Sequence, residues 1–139
     1  MSGDGQLRDY FERYARTSLG PDPEALAAFY DASFVAAGPK GSAAFTNDAS
    51  FRGWLREVHA FNEKSGMSAL SVDDVRETPI SADFVMATVT WAATFRKTGD
   101  TPIRFDITYL LRISGDSLQI VAYVSHEDQE DAVRAHGLL

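Results

Sequence analysis

The run IRFDITYLLRI, residues 103–113, alternates apolar and polar side chains over most of its length. Ile103, Phe105, Ile107, Tyr109 and Leu111 face one way while Arg104, Asp106, Thr108 and Arg112 face the other, the period of two that marks a half-buried β-strand. The apolar side is predicted to line an interior. Thr98-Gly99-Asp100 before the run and Ser114-Gly115-Asp116 after it are short turn sequences, so predicted strands 83–97, 102–113 and 117–126 form an antiparallel meander. A further strand, 68–77, precedes them. Carrying the alternation across the turns adds Val89, Trp91, Ala93 and Phe95 to the interior, with Leu118, Ile120, Ala122 and Val124 opposite. Met86, Thr88, Thr90, Val121 and Tyr123 are expected on the outer face.

Before Met67 the period is helical. Leu7, Tyr10, Phe11, Tyr14 and Ala15 recur at three- and four-residue steps, an apolar stripe on a first helix that ends near Leu19-Gly20. Asp22-Pro23 reads as an N-cap followed by a first-turn proline, opening a second helix on which Leu26, Phe29 and Tyr30 share a face. A short strand then breaks into the loop of FVAAGPKG (34–41). Asn47 or Asp48 can cap a third helix that turns Phe51, Trp54, Leu55, Val58 and Phe61 inward, and Gly66 is placed to end it. Helices first and strands afterwards predict an α+β class, three N-terminal helices packed on a curved antiparallel sheet with a short C-terminal helix. Nine Phe, five Tyr and two Trp can line the cone that such a sheet and its helices leave open at one end.

The 139 residues suit one domain, 1–139, with no linker or internal repeat. Thirteen basic against twenty acidic residues leave a net charge of −7, and the basic residues are scattered, so neither nucleic acid nor an anionic membrane is an expected partner. No cysteine is present, which removes thiolate metal sites and cysteine nucleophiles and fits a reducing interior. MSGDGQLRDY has no apolar signal core and no stretch has membrane-span length, so the expected location is cytoplasmic.

The helix-helix-strand-helix order followed by a four-strand meander, with DPEALAAFYDASFVAAGPKG (22–41) at the second helix and SLQIVAYVSHEDQED (117–131) at the last strand, resembles the nuclear-transport-factor-2-like superfamily. More narrowly it looks like the SnoaL-like group, which includes polyketide cyclases, ketosteroid isomerase, limonene epoxide hydrolase and scytalone dehydratase. The resemblance implies a cystatin-like cone, a small apolar or aromatic ligand, no cofactor and a homodimer formed through the outer sheet face. It also sets Tyr14 where ketosteroid isomerase has its oxyanion-donating tyrosine, with Tyr109 near the second oxyanion acid. That isomerase takes its proton with a carboxylate at the end of the short first strand, where this chain has Ala36, Ala37 and Gly38. The last-strand acid of the cyclases and epoxide hydrolases has no counterpart among Leu118, Ile120, Ala122 and Val124.

The remaining polar residues carry two readings each. His126 follows Val124 by strand parity and is expected at the inner rim, available as a base; equally, Ser125 caps a helix through a Ser-x-x-Asp box with Asp128, and His126 occupies its first turn. Asp31 closes the second helix, either as a buried acid with a raised pKa or as a solvated turn residue. His59 borders the apolar stripe of the third helix, facing the pocket or half-buried beside it; no histidine spacing suggests a metal. Trp54 and Trp91 from opposite walls, with Tyr30, Phe34, Phe105 and Ala122, are expected to hold a ligand or simply to pack the core. Arg104 and Asp106 read as a cross-strand or dimer-interface ion pair, and Gly38-Pro39-Lys40-Gly41 lacks the pattern of a phosphate loop. Two functions remain open. One is a cofactor-independent cyclase, isomerase or dehydratase on an apolar carbonyl compound, with Tyr14, Tyr109 and one of His126, His59 or Asp31 as its machinery. The other is a non-catalytic ligand-binding or dimerisation module.

Overall fold

The computed structural model describes residues 3–128 together with 131, 134 and 135. Helix α1 (Gly3–Leu19) buries Leu7, Tyr10, Phe11 and Ala15, the stripe its spacing predicts. The Asp22 carboxylate caps α2 (Pro23–Ala27) by accepting from the backbone N–H groups of Glu24 and Ala25. This helix is shorter than expected. The Phe29 carbonyl accepts both the Tyr10 hydroxyl at 2.6 Å and the Ile120 N–H at 2.9 Å, so the chain is drawn out of the helix and onto the sheet. Tyr30 therefore opens a strand, β1 (Tyr30–Gly38), instead of extending a helical face.

The Gly/Pro loop is a hairpin. After it the chain returns as β2 (Gly41–Thr46), an edge strand absent from the sequence reading. Asp48 caps α3 (Ala49–Ser65) through the Phe51 N–H, and Gly66 ends it in the left-handed conformation, φ 84°. Asn47 has another duty: its amide donates to the carbonyls of Ala27 and Tyr30, pinning the start of β1 beneath α3.

Strands β3 (Met67–Pro79), β4 (Phe84–Phe95), β5 (Ile103–Ser114) and β6 (Ser117–Ser125) complete a curved, unclosed six-stranded sheet in the order β2-β1-β6-β5-β4-β3. The sheet is mixed rather than wholly antiparallel, because β1 lies parallel to β6 while every other pair is antiparallel. The odd-numbered side of β4 and β5 faces the helices as predicted: Val89, Trp91, Tyr109 and Leu111 are buried there with Phe11 and Phe51.

In β6 the alternation breaks. Ile120 pairs with Leu111 and Ala122 with Leu110, so Val121 is an extra residue, a β-bulge, and the facing of everything beyond it is reversed. Tyr123 therefore pairs with Tyr109 and turns inward, while Ala122 and Val124 turn outward, the opposite of the expected parity. Asp131, Arg134 and Ala135 have helical backbone, and the rest of the expected C-terminal helix lies outside the described residues. The Asp128 carboxylate accepts the Asp131 N–H at 2.9 Å, and Ser125, the cap in one reading of the sequence, is the last residue of β6.

Candidate functional site

Between α1, α3 and the inner face of the sheet lies a cavity of about 390 Å³. Its wall is aromatic, with Tyr14 from α1, Tyr30 from β1, Trp54 from α3, Trp91 from β4, Phe105 and Tyr109 from β5 and Tyr123 from β6. The rings fit edge to face and tilted: Tyr14 lies 5.9 Å from Trp91 and 6.5 Å from Tyr109, and Tyr109 lies 6.0 Å from Tyr123, measured between centroids.

Two hydrogen bonds organise the hydroxyls. Those of Tyr14 and Tyr30 lie 2.5 Å apart, and the indole N–H of Trp91 donates to the Tyr109 oxygen at 3.1 Å. Burial pushes the Tyr14 phenol up to about 12, with the Tyr30 hydrogen bond pulling the other way. Tyr30 and Tyr109 are driven well above the ordinary phenol value, first by burial and then by the charge of neighbouring tyrosines. Tyr123 is raised for the same leading reason. All four are thus neutral donors at physiological pH. Among the described residues around the cavity, the charged or chargeable side chains besides the phenols are Asp22, Arg56 and His59, the first two exposed and the third half-buried. Asp22 is engaged as the α2 cap, and His59 Nε2 lies 3.7 Å from Glu63. Such a wall can hold a flat apolar body and donate to an acceptor oxygen. Among the described lining residues, no carboxylate or imidazole is fully buried with the phenols. The described residues contain no cluster of His, Asp and Glu fit for a metal.

The structure brings together Tyr14, Tyr30, Trp54, His59, Trp91, Phe105 and Tyr109 from the sequence expectation, and leaves out four others. Asp31 is on the outer side of β1, where its carboxylate accepts from Arg112 Nε at 2.7 Å. That bond holds its pKa below the ordinary value, against the reading of a buried acid with a raised pKa. Phe34 is buried in the core against Phe51 and Phe45, behind the cavity wall. Ala122 and His126 follow the bulge to the outer face. There His126 Nε2 lies 2.8 Å from Thr108 Oγ1, and its backbone N–H donates to Asp106. In place of those two the bulge supplies Tyr123 and Ser125, which strict alternation assigns to the outside. The signal that could have found them is the match of Tyr123 to Tyr109 as a cross-strand aromatic pair. Arg104 and Asp106 do face outward: Arg104 pairs with Asp73 at 3.1 Å, and Asp106 accepts from Thr90 at 2.6 Å.

The family model described as NTF2-like protein (DUF6841) matches residues 4–128. No curated protein matches the chain in sequence. Among solved structures, an NTF2-like protein with a cystatin-like fold from Novosphingobium aromaticivorans superposes with a TM-score of 0.70 at 18% identity, covering 97% of this chain and 87% of that one. Aln2 from a Streptomyces species gives 0.70 at 16% identity with 94% of each chain covered. A protein with a ketosteroid isomerase-like fold from Catenulispora acidiphila, solved in complex with trimethylamine, gives 0.57 at 17% identity, again with 94% of each covered. Identities this low carry the fold alone.

Proposed function

Since the chain belongs to the NTF2-like (DUF6841) family, we propose that its cone binds a small, apolar, carbonyl-bearing molecule without cofactor, as a binding protein rather than a proton-transfer enzyme. One observation carries this reading. The inner wall offers neutral phenol donors on an aromatic surface, and of the described lining residues the acid Asp22 is exposed and the base His59 only half-buried. A cavity of about 390 Å³ suits a ligand of two or three fused rings, within the roughly 300–1,000 Å³ usual for small-molecule sites. Screening carbonyl-containing aromatic compounds for thermal stabilisation tests it. Stabilisation that grows with ligand concentration and disappears in Trp91→Ala supports the reading; a flat response across the series counts against it.

A second reading, a cofactor-independent isomerase, cyclase or dehydratase, is favoured by His59 beside the same cavity. Proton exchange at the carbon next to the carbonyl of a bound ketone, lost in His59→Gln, would support it over simple binding.

The proposal extends to a single domain spanning 1–139 and a homodimer through the outer sheet face. Val35 and Val124, 44% and 48% exposed, sit there with Ala122, Met86 and Leu110 around the Thr88, Thr108 and His126 hydrogen-bonded line. Val124→Asp should shift a dimer to monomer in sedimentation. No helix among the described residues is long and apolar enough to cross a membrane, and the cytoplasm is the proposed location.

A further inference from the structure

Trp91 and Tyr109 are each 2% exposed, and both line the cavity. An indole N–H is a donor only, so in the 3.1 Å contact between them the Tyr109 oxygen must accept. One lone pair of the phenol is then occupied from the wall side. Its own hydrogen has no acceptor among the described residues, Tyr109 lines the cavity, and the other rings packed around it are those of Phe11, Tyr14 and Tyr123. A phenol that accepts one hydrogen bond is also a better donor for the next, because each bond polarises its successor.

We propose that Trp91 is a positioning residue that turns the Tyr109 proton into the cavity, and that this makes the site selective for a neutral acceptor oxygen over a carboxylate. The inference rests on the binding function proposed above and deepens it. Selectivity follows from the wall. A ketone oxygen gains the pre-aimed proton at little desolvation cost, whereas a carboxylate must shed its water where no buried cation among the described lining residues replaces it. Arg56 lies among the lining residues but is exposed, so it offers an anion only a solvated contact.

The test uses 2-acetylnaphthalene, 2-ethylnaphthalene and 2-naphthoate as probes, with affinities from titration calorimetry and the infrared carbonyl stretch of the ¹³C-labelled ketone. The wild-type chain is expected to bind the ketone more tightly than the carboxylate. Trp91→Phe should weaken the ketone about five- to tenfold, the scale of one hydrogen bond. The hydrocarbon, which loses only the trimmed ring contact, should weaken by a clearly smaller factor, and the bound carbonyl stretch should move toward its free value. In a Tyr109→Phe background, adding Trp91→Phe should weaken the ketone no more than it weakens the hydrocarbon, since the phenol through which the indole acts is gone. If ketone and hydrocarbon weaken together in Trp91→Phe while the carbonyl stretch stays put, Trp91 only packs the wall and the inference is wrong. Equal affinity for 2-naphthoate and the ketone also overturns it, and loss of the carboxylate in Arg56→Ala would place that anion at the mouth. Should the wild type hold the hydrocarbon and the ketone alike, the cavity binds but the donor is not aimed. Should it hold neither, the binding function falls, and this inference with it.

Discussion

The hydroxyl of Tyr14 on α1 meets that of Tyr30 at the head of β1 at 2.5 Å, so one phenol proton is shared within the pair and the other is left over. The bond ties the helix layer to the sheet at the wall of the cavity. Tyr14→Phe and Tyr30→Phe each remove it, at a cost to stability of about 0.5–1.5 kcal/mol. If the leftover proton serves a ligand, the double variant should lose about tenfold in affinity for 2-acetylnaphthalene while the folding cost stays below the sum of the single costs. Chemical denaturation and calorimetry check the two halves separately. A strictly additive folding cost would show that the hydroxyls do not cooperate.

All five tyrosines of the chain are raised above the ordinary phenol value, Tyr14 to about 12 and the others further or by the same cause of burial. A raised phenol keeps its proton in the folded state after the unfolded chain has lost it. Stability from these groups is therefore complete below about pH 10 and drains away as pH climbs through the folded values. Absorbance near 295 nm should show almost no tyrosinate at about pH 10.5 while the far-ultraviolet circular dichroism is native, and both signals should then change together. Stepwise tyrosine ionisation in a still-folded chain would contradict the packing described.

Asp31 is held low by Arg112, so it contributes stability above the unfolded carboxylate range and loses it as pH falls through its depressed folded value. The pair is partly exposed and its worth is small. Asp31→Asn should cost about 0.2–1 kcal/mol at neutral pH and leave the cavity's ligand affinity unchanged. A large loss of binding would put this carboxylate back into the site's chemistry.

Gly66 ends α3 with φ 84°, and a Cβ there would meet the Arg96 guanidinium at 3.7 Å, an ordinary contact. Space is available, so the penalty is conformational. Gly66→Ala should destabilise by about 1 kcal/mol, and Gly66→Asn by less, because Asn tolerates the left-handed region. Equal effects would mean that something other than backbone conformation sets the cost.

The meander, the caps at Asp22 and Asp48, the end at Gly66 and the aromatic side of β4 and β5 were legible because each is governed by local rules: alternation, capping chemistry and left-handed glycine. What escaped was decided at a distance. Tyr30 reads as helical until Ile120 N–H and Tyr10 claim the Phe29 carbonyl, and neither partner is near in sequence. Asp31 reads as a pocket acid until Arg112, eighty-one positions away, takes its carboxylate. His126, Ala122 and Tyr123 exchanged sides because a bulge leaves no signature in composition.

That extra residue in β6 has a wider meaning. Were Val121 an ordinary rung of the ladder, the chamber would present Ala122, Val124 and an imidazole; as folded, it presents a phenol and a serine hydroxyl. Gaining or losing one amino acid, with no change in the identity of any other, is enough to trade one set for the other. Chemistry in a chamber of this shape can thus diverge by slippage as readily as by substitution, and a comparison that aligns letters without aligning rungs would pair side chains that never share a wall.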